Sequence, residues 1–301
     1  MTVPTPRLFV SNRERPGRSQ GFSLFGDQVA DLHVHTSASD GQLTPHEVAE
    51  LAALTGMSAI AITDHDTTAG AKSLIESREK LCSGVEIIPG VEINSQWNGR
   101  ELHILGYYVP LTQSEFQDTL AKLRQSRNTR LRRMVEKMSS IGYPIDLDRV
   151  QELASGESAG RPHVAIAMVE KGYVASVKEA FEKFLGIGRP GFVDREHLSP
   201  PEAVRVIRRS GGVPVWAHPG TAKADVLLPT LMEHGLLGIE AYHPDHDSRV
   251  SMKYVDMATQ NGLVVTGGSD FHGRQYGEGA GLGSVTVSYE AVLNLKGLSS
   301  S

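Results

Sequence analysis

What most constrains this chain is a recurring pair of segments: a short apolar run of β-type composition, then a longer stretch with helical spacing. Ala59-Ile60-Ala61-Ile62 is the clearest run. No polar residue alternates into it, as in strands covered on both faces. Val29–Thr36, Ser58–Thr63, Val85–Asn94, Glu101–Val109, Val213–Ala217, Leu237–Tyr242 and Leu263–Gly267 read as strands. A helix is expected over Pro45–Leu54, with Thr44 as N-cap and Pro45 at the first position. Others are expected over Thr68–Cys82, Pro200–Ser210, Ala224–His234 and Ser248–Asn261. Strands alternating with helices imply a mainly parallel sheet, an α/β architecture.

Between residues 112 and 199 this rhythm stops and no strand is expected. A long helix over Ser114–Ile141 is followed by shorter helical pieces at Leu147–Leu153, His163–Lys171 and Ser176–Phe184. The organisation predicted is a catalytic barrel from residues 29–111 and 200–301, interrupted by an all-helical insertion at 112–199. Residues 1–28 read as a flexible tail, rich in Arg, Ser and Pro and lacking a signal-peptide core. The 301-residue length allows one large domain with such an insertion. With a formal charge of −5, no overall basic field attracts nucleic acid, so local arginines or bound metal must hold any phosphate. Cys82 is the only cysteine, which rules out an internal disulfide and a multi-thiolate zinc site and fits a reducing cytoplasm. No apolar run is long enough to span a membrane.

Residues with metal-binding chemistry gather at the expected strand ends, where barrel enzymes place their sites. His33 and His35 stand at i and i+2 of a strand and so share a face. Asp40 follows in the next loop. Thr63-Asp64-His65-Asp66-Thr67 ends the second strand, Glu92 the third, and His103 and His218 belong to later ones. Asp270-Phe271-His272 repeats the i, i+2 spacing. A single strand-end histidine is more often structural than a ligand, and Asp64 and Asp66 could cap the next helix, the reading favoured for Asp66. Six of the twelve histidines together with Asp40, Glu92 and Asp270 are a different matter. Converging carboxylates repel each other unless cations compensate. Imidazole and carboxylate donors without thiolate suit Mn, Zn or Fe. Nine ligands exceed the needs of one ion and imply two or three.

At these residues the chain resembles the PHP (polymerase and histidinol phosphatase) superfamily of phosphoesterases. His33-x-His35, Thr63-Asp64-His65, Glu92, His103, His218 and Asp270-x-His272 match its four motifs in order. The resemblance implies a distorted TIM-like β/α barrel and hydrolysis of phosphate esters with two or three divalent ions, manganese first. It is nearest to a bacterial branch with a helical insertion that acts on nucleoside 3′,5′-bisphosphates and nucleoside monophosphates, with some 5′→3′ exonucleases on short oligonucleotides or RNA ends. By position, the resemblance assigns His33, His35, Glu92 and Asp270 to a first ion. Glu92, His103 and His218 go to a second, and Asp40, His65 and His272 to a third. Glu92, Asp40, His65 and His218 are the expected catalytic set.

For substrate binding, Gly160-Arg161-Pro162-His163 places Arg161 and His163 at a helix N-terminus, a favourable place for an anion. Arg127 falls on the apolar stripe of the long helix and needs an internal acceptor, either a substrate phosphate or a carboxylate. Arg124, Arg130, Arg132 and Arg133 are expected in solvent. Arg189 is expected either to line the cleft or to lie in a plain loop. His243 is a candidate proton donor to a leaving group, and His246 is expected to be exposed. Competing readings are a histidinol-phosphate phosphatase, an amidohydrolase using the same barrel ligands, and a non-catalytic metal-binding module. The amidohydrolase reading lacks a strand-end lysine, and the last reading is disfavoured because every ligand is retained. Oligomeric state is not legible.

Overall fold

A computed structural model describes residues 28–77, 84–154, 158–273 and 280–299. The expected N-terminal tail lies outside the described residues except for Gln28, and so does the end of the helix expected to reach Cys82. Eight strands form one sheet in the order β7-β6-β5-β4-β3-β2-β1-β8. They are β1 (Val29–Val34), β2 (Ala59–Ile62), β3 (Glu86–Trp97), β4 (Arg100–Tyr107), β5 (Val213–Trp216), β6 (Gly238–Tyr242), β7 (Val264–Gly267) and β8 (Val287–Ser288). Past β7 the chain bridges back to β1 through Val34 and Phe271, and the His35 N–H donates to the Phe271 carbonyl at 2.9 Å. The sheet thus nearly closes into the expected distorted β/α barrel.

Helices cover its outside: α1 (Pro45–Leu54), α2 (Ala69–Glu76), and, after the long break, α7 (Pro200–Arg209), α8 (Pro219–Ala222), α9 (Leu228–Glu233), α10 (Ser248–Gln260) and α11 (Tyr289–Ser299). Thr44 caps α1 as expected, its hydroxyl accepting from the Glu47 N–H at 3.3 Å while Glu47 takes the Thr44 N–H at 2.8 Å. The single helix expected over 224–234 is instead a 3-10 turn (Asp225–Leu227) running into α9. The short β8 and the helices α8 and α11 were not anticipated.

The sheet is mainly parallel, as expected, but not at its centre. β3 and β4 form an antiparallel hairpin, with Glu92 opposite Leu105 and Asn94 opposite His103, and β4 also runs antiparallel to β5. The turn is Asn98-Gly99, both at positive φ (48° and 72°). That is the left-handed pair a tight hairpin requires. Reversal matters for the site, because it brings His103, early in β4, beside the end of β3. Along both strands the inward residues change character. Ile88, Leu105 and Tyr107 pack with Ala59, Ala61, Val213 and Val215 in the barrel's apolar floor, whereas Glu92, Asn94 and His103 lie above them.

Between β4 and β5 run α3 (Ser114–Ser140), α4 (Leu147–Leu153), α5 (Arg161–Glu170) and α6 (Val177–Ala180), the last continuing as a π turn over Phe181–Leu185. The stripe of α3 divides. Phe116, Leu120 and Leu123 pack in the cluster that holds Ile104 and Trp216, and Leu131, Met134 and Met138 pack with Val150, Val164 and Met168. Arg127 sits where one core hands over to the other. Among the described residues no helix is long and apolar enough to cross a membrane.

Candidate metal centre

All nine expected ligands converge at one end of the barrel. His33 and His35 leave β1 with Nε2 atoms 3.1 Å apart. His33 Nε2 is 3.4 Å from Glu92 and 3.3 Å from Asp270. His35 Nε2 is 3.2 Å from the same oxygen of each. Ligands held at about 2.0–2.2 Å by a tetrahedral ion lie roughly 3.3 Å from one another, so these four atoms have the spacing of a coordination shell. Glu92 also faces the other way. Its second oxygen is 2.7 Å from His103 Nδ1 and 3.1 Å from His218 Nε2. Asp40 gathers a third set, with His65 Nε2 at 3.6 Å, His272 Nε2 at 3.4 Å and His35 Nδ1 at 3.7 Å. These sets match the partition implied by the resemblance, with His35 close enough to join either the first or the third.

The donors fit divalent ions on physical grounds. His35 Nδ1, Asp40 Oδ1, His65 Nδ1 and Asp270 Oδ1 are buried and make no hydrogen bond in the protein, an arrangement that costs free energy unless a cation completes it. The electrostatics agree. Burial alone would depress the His35 pKa, but hydrogen bonds and charge from Asp270 and Glu92 raise it to about 10. Burial likewise works against ionised Asp40 and Glu92, yet the surrounding histidines hold both well below the usual carboxylate range. The cluster therefore demands positive charge. Metal ions supply it without the protons that would block the imidazole lone pairs.

A second layer aims these ligands. Glu240, on β6, is fully buried and was missed in the sequence. It accepts from His33 Nδ1 at 3.0 Å and from the His218 backbone N–H at 2.8 Å. Its signal was one acidic residue inside an apolar strand. A histidine that donates from Nδ1 presents its Nε2 lone pair to the centre. Asp64 does not cap α2. It accepts from the Thr36 N–H at 2.8 Å, the Thr36 hydroxyl at 2.8 Å and the Ser39 hydroxyl at 2.7 Å, fixing the loop that carries Asp40. Asp31 ties β1 to Ser269 and Gly283 and also accepts the His33 N–H within the strand, and burial pushes its carboxyl up to about 6 despite those bonds. His218 and Asp270 hold positive φ, 26° and 49°, backbone conformations that persist only where surrounding structure enforces them.

Gly268 is part of this packing. A Cβ there would collide with the backbone N and the Cβ of His33 and come within 2.9 Å of an Asp31 carboxylate oxygen. Backbone cannot swing aside as a side-chain tip can. Gly268→Ala should displace either β1 or the Asp270 turn and lower kcat by roughly 100-fold, the usual cost of a 1 Å misplacement, with the far-UV circular dichroism unchanged. Full activity in the variant would show that the ligand frame has slack.

Several residues lie elsewhere than expected. Asp66 caps nothing: it sits at φ 54°, and its carboxylate takes Arg127 Nε at 2.5 Å and Arg195 at 3.4 Å. Arg127 thus meets an internal carboxylate and also donates to the Asn94 side chain, which contacts His103 at 2.9 Å. Arg130 is buried rather than solvated, and Arg124 donates to the Asp66 carbonyl at 2.9 Å, whereas Arg132 and Arg133 are exposed as expected. Helical spacing explains Arg130, which stands three residues after Arg127 on the same face. His246 is buried, paired with the Ala241 carbonyl at 2.9 Å and the Gly220 N–H at 3.1 Å. His243 accepts the Asp245 N–H at Nδ1 (3.1 Å) and turns Nε2 to Asp270 at 3.4 Å.

At the start of α5, Arg161 is paired with Glu101 and stacks 5.4 Å from the centre of the Phe181 ring. His163 Nδ1 accepts the Gly160 N–H at 3.0 Å, which leaves the remaining N–H at Nε2. Burial lowers its pKa against the pull of Asp40. Glu101 and His103 line a cleft of about 550 Å³ with Arg100, Ile187, His218 and Lys223.

A nearly closed barrel with overlapping imidazole–carboxylate sets at one mouth defines a metal-dependent hydrolase. The PHP domain model matches residues 31–189. Similar proteins include a phosphoribosyl 1,2-cyclic phosphate 1,2-diphosphodiesterase of Eggerthella lenta, 36% identical over 255 residues covering 82% of this chain and 95% of that protein. The 5′-3′ exoribonuclease Rnm of Escherichia coli is 33% identical over 249 residues, covering 81% and 85%. A solved Bifidobacterium adolescentis structure assigned as a metal-dependent phosphoesterase superposes with a TM-score of 0.83 at 30% identity, covering 90% of this chain and 96% of that one. The chain belongs to the PHP domain family and is a hydrolase of phosphoric ester bonds that uses divalent metal ions.

Proposed function

We propose that this enzyme removes phosphate from nucleotides in the cytoplasm. Nucleoside 3′,5′-bisphosphates or 5′-monophosphates are the core substrates, and 5′ ends of short oligonucleotides or RNA are extended ones. The observation that carries this is the meeting of two donor sets on Glu92, with a third gathered by Asp40, beside a cleft lined by Glu101, the partner of Arg161. A cleft of about 550 Å³ exceeds what a lone phosphate needs and falls in the usual range for small-molecule sites. The relatives' named substrates, a cyclic sugar phosphate and RNA, point to phosphate carried on ribose.

Two or three ions are proposed, manganese first, with zinc or iron as alternatives, held by His33, His35, Asp40, His65, Glu92, His103, His218, Asp270 and His272. Bound there, divalent ions lower the pKa of water and offset the charge that develops on the phosphoryl group. Glu240 keeps His33 in the tautomer that faces the centre. His243, whose Nε2 carries its proton toward Asp270, is placed to protonate the departing oxygen. Arg161 and the Nε2–H of His163 would hold a second phosphate or the ribose end. Arg127 acts indirectly, through Asp66 and Asn94, on the placement of Glu92 and His103.

Kinetics on a nucleoside 3′,5′-bisphosphate, the matching 5′-monophosphate and histidinol phosphate test this reading. The bisphosphate is expected to be preferred, and Arg161→Ala to reduce that preference by up to about 30-fold in kcat/KM, the effect of losing a bidentate Arg–phosphate contact. Equal rates on bisphosphate and monophosphate in the parent enzyme would remove the second-phosphate site. Preference for histidinol phosphate would move the assignment to that substrate.

A further inference from the structure

Outside the metal centre, α3 and the 194–196 segment enclose a groove of about 380 Å³ that no step above uses. Lys122, Arg130 and Arg133 come from one side of α3, and Arg195 also lines the groove. Against these four cations the groove has two carboxylates, Asp194 and Glu196, and Asp194 lies 3.2 Å from His197. The polar rest of the wall is Gln125, Ser126 and Thr129.

Two of the cations are buried without full compensation. The Arg195 side chain is 1% exposed. It donates from Nη1 to the Leu123 carbonyl at 3.2 Å and reaches Asp66, already held by Arg127, at 3.4 Å. Its Nε has no hydrogen-bond partner. Arg130 is 5% exposed, and among the described residues no carboxylate pairs with it. Arg127, Arg130, Arg161 and Arg195 influence one another here, with Asp66 and Glu101 among the carboxylates that offset them. Buried guanidinium groups in excess over carboxylates need an anion with several acceptor oxygens. The groove is also bonded to the site through the protein: Arg195 and Arg127 share Asp66, whose N–H donates to the Glu92 carbonyl at 3.0 Å.

We propose that this groove is a separate anion site that holds the phosphodiester backbone of an oligonucleotide whose terminal phosphate ester lies over the histidine cluster. The proposal rests on the nucleotide reading above and gives the chain of an oligonucleotide substrate a place to lie. Phosphates along a single strand would meet Arg130 and Arg195 first, then Lys122 and Arg133 toward solvent.

Two measurements on the full-length protein test it. The first is kcat/KM for 5′-phosphorylated oligonucleotides of one to five nucleotides. Parent enzyme should gain with length, and Lys122→Ala/Arg133→Ala, at two exposed positions outside both cores, should reduce the trinucleotide-to-mononucleotide ratio about tenfold. The second is fluorescence anisotropy of a 3′-labelled pentanucleotide on protein stripped of metal, as a function of salt. The double variant should lose about one to two units of the slope of log Kd against log salt, since each phosphate contact contributes about 0.7 for single strands. Equal length dependence and equal slopes in both proteins would overturn the proposal. So would a groove that responds to inorganic phosphate alone and ignores chain length. Groove-dependent binding of the pentanucleotide without hydrolysis of any nucleotide would sustain the groove and refute the nucleotidase reading.

Discussion

Glu92→Gln is expected to lose about 1000-fold or more in kcat and to fall from two or three bound metal equivalents to fewer than one. Glu92 is 1% exposed, and its two oxygens lie within 3.4 Å of five histidines: His33, His35, His65, His103 and His218. Glutamine has the same shape, so the barrel should fold. It lacks the charge that makes the first and second donor sets attractive to cations, and it turns an amide N–H toward imidazole lone pairs. Losing metal-based charge stabilisation of several kcal/mol corresponds to the quoted factor. Elemental analysis of gently purified protein, with activity measured after reconstitution, decides the matter. A variant with near-parent kcat and full metal content would sink the role of Glu92 as the shared ligand.

Asp66→Asn is expected to cost about 3–5 kcal/mol of stability, the range for breaking a buried ion pair from one side. Burial opposes the ionised form, but the adjacent Arg127 and Arg195 guanidinium groups hold the Asp66 carboxyl below its usual range. Without that charge both cations remain buried, and Arg127 side-chain exposure is only 3%. Asparagine tolerates the positive φ of 54° at this position, so backbone strain would not account for the loss. Scanning calorimetry should show a fall in Tm on the order of 10 °C. Adding Arg127→Met to the variant should recover part of it, because the unpaired charge goes as well. A shift under about 2 °C in the single variant would mean that solvent or another group already compensates the arginines.

Most of the candidate metal ligands were legible because they stand within or shortly after an apolar run, with Asp40 in the loop that follows one, and a strand end is a local property. The i, i+2 spacing of His33 and His35 determined that they share a face before any partner was known. Asn98-Gly99 also carried a readable signal, since that pair specifies a tight hairpin, which the expectation of a mainly parallel sheet did not use. Glu240 stood out as an acidic residue in an apolar strand, yet its partner His33 is 207 residues away. For Asp66 local context favoured a helix cap, and only α3 and the 194–196 segment, packed against it, supply the two arginines it neutralises, Arg127 and Arg195.

The sequence by itself determined the chemistry available to this protein: imidazoles and carboxylates without thiolates, carried on strands that can be buried on both faces only inside a layered α/β fold. Tertiary structure alone decided which ligands share a donor set, which arginines are neutralised and which are left needing an anion. The reason is range. Side-chain alternation and capping are set by neighbours a few residues apart. Convergence on Glu92 depends on closing the barrel between Val34 and Phe271 and on packing a 27-residue helix across its mouth.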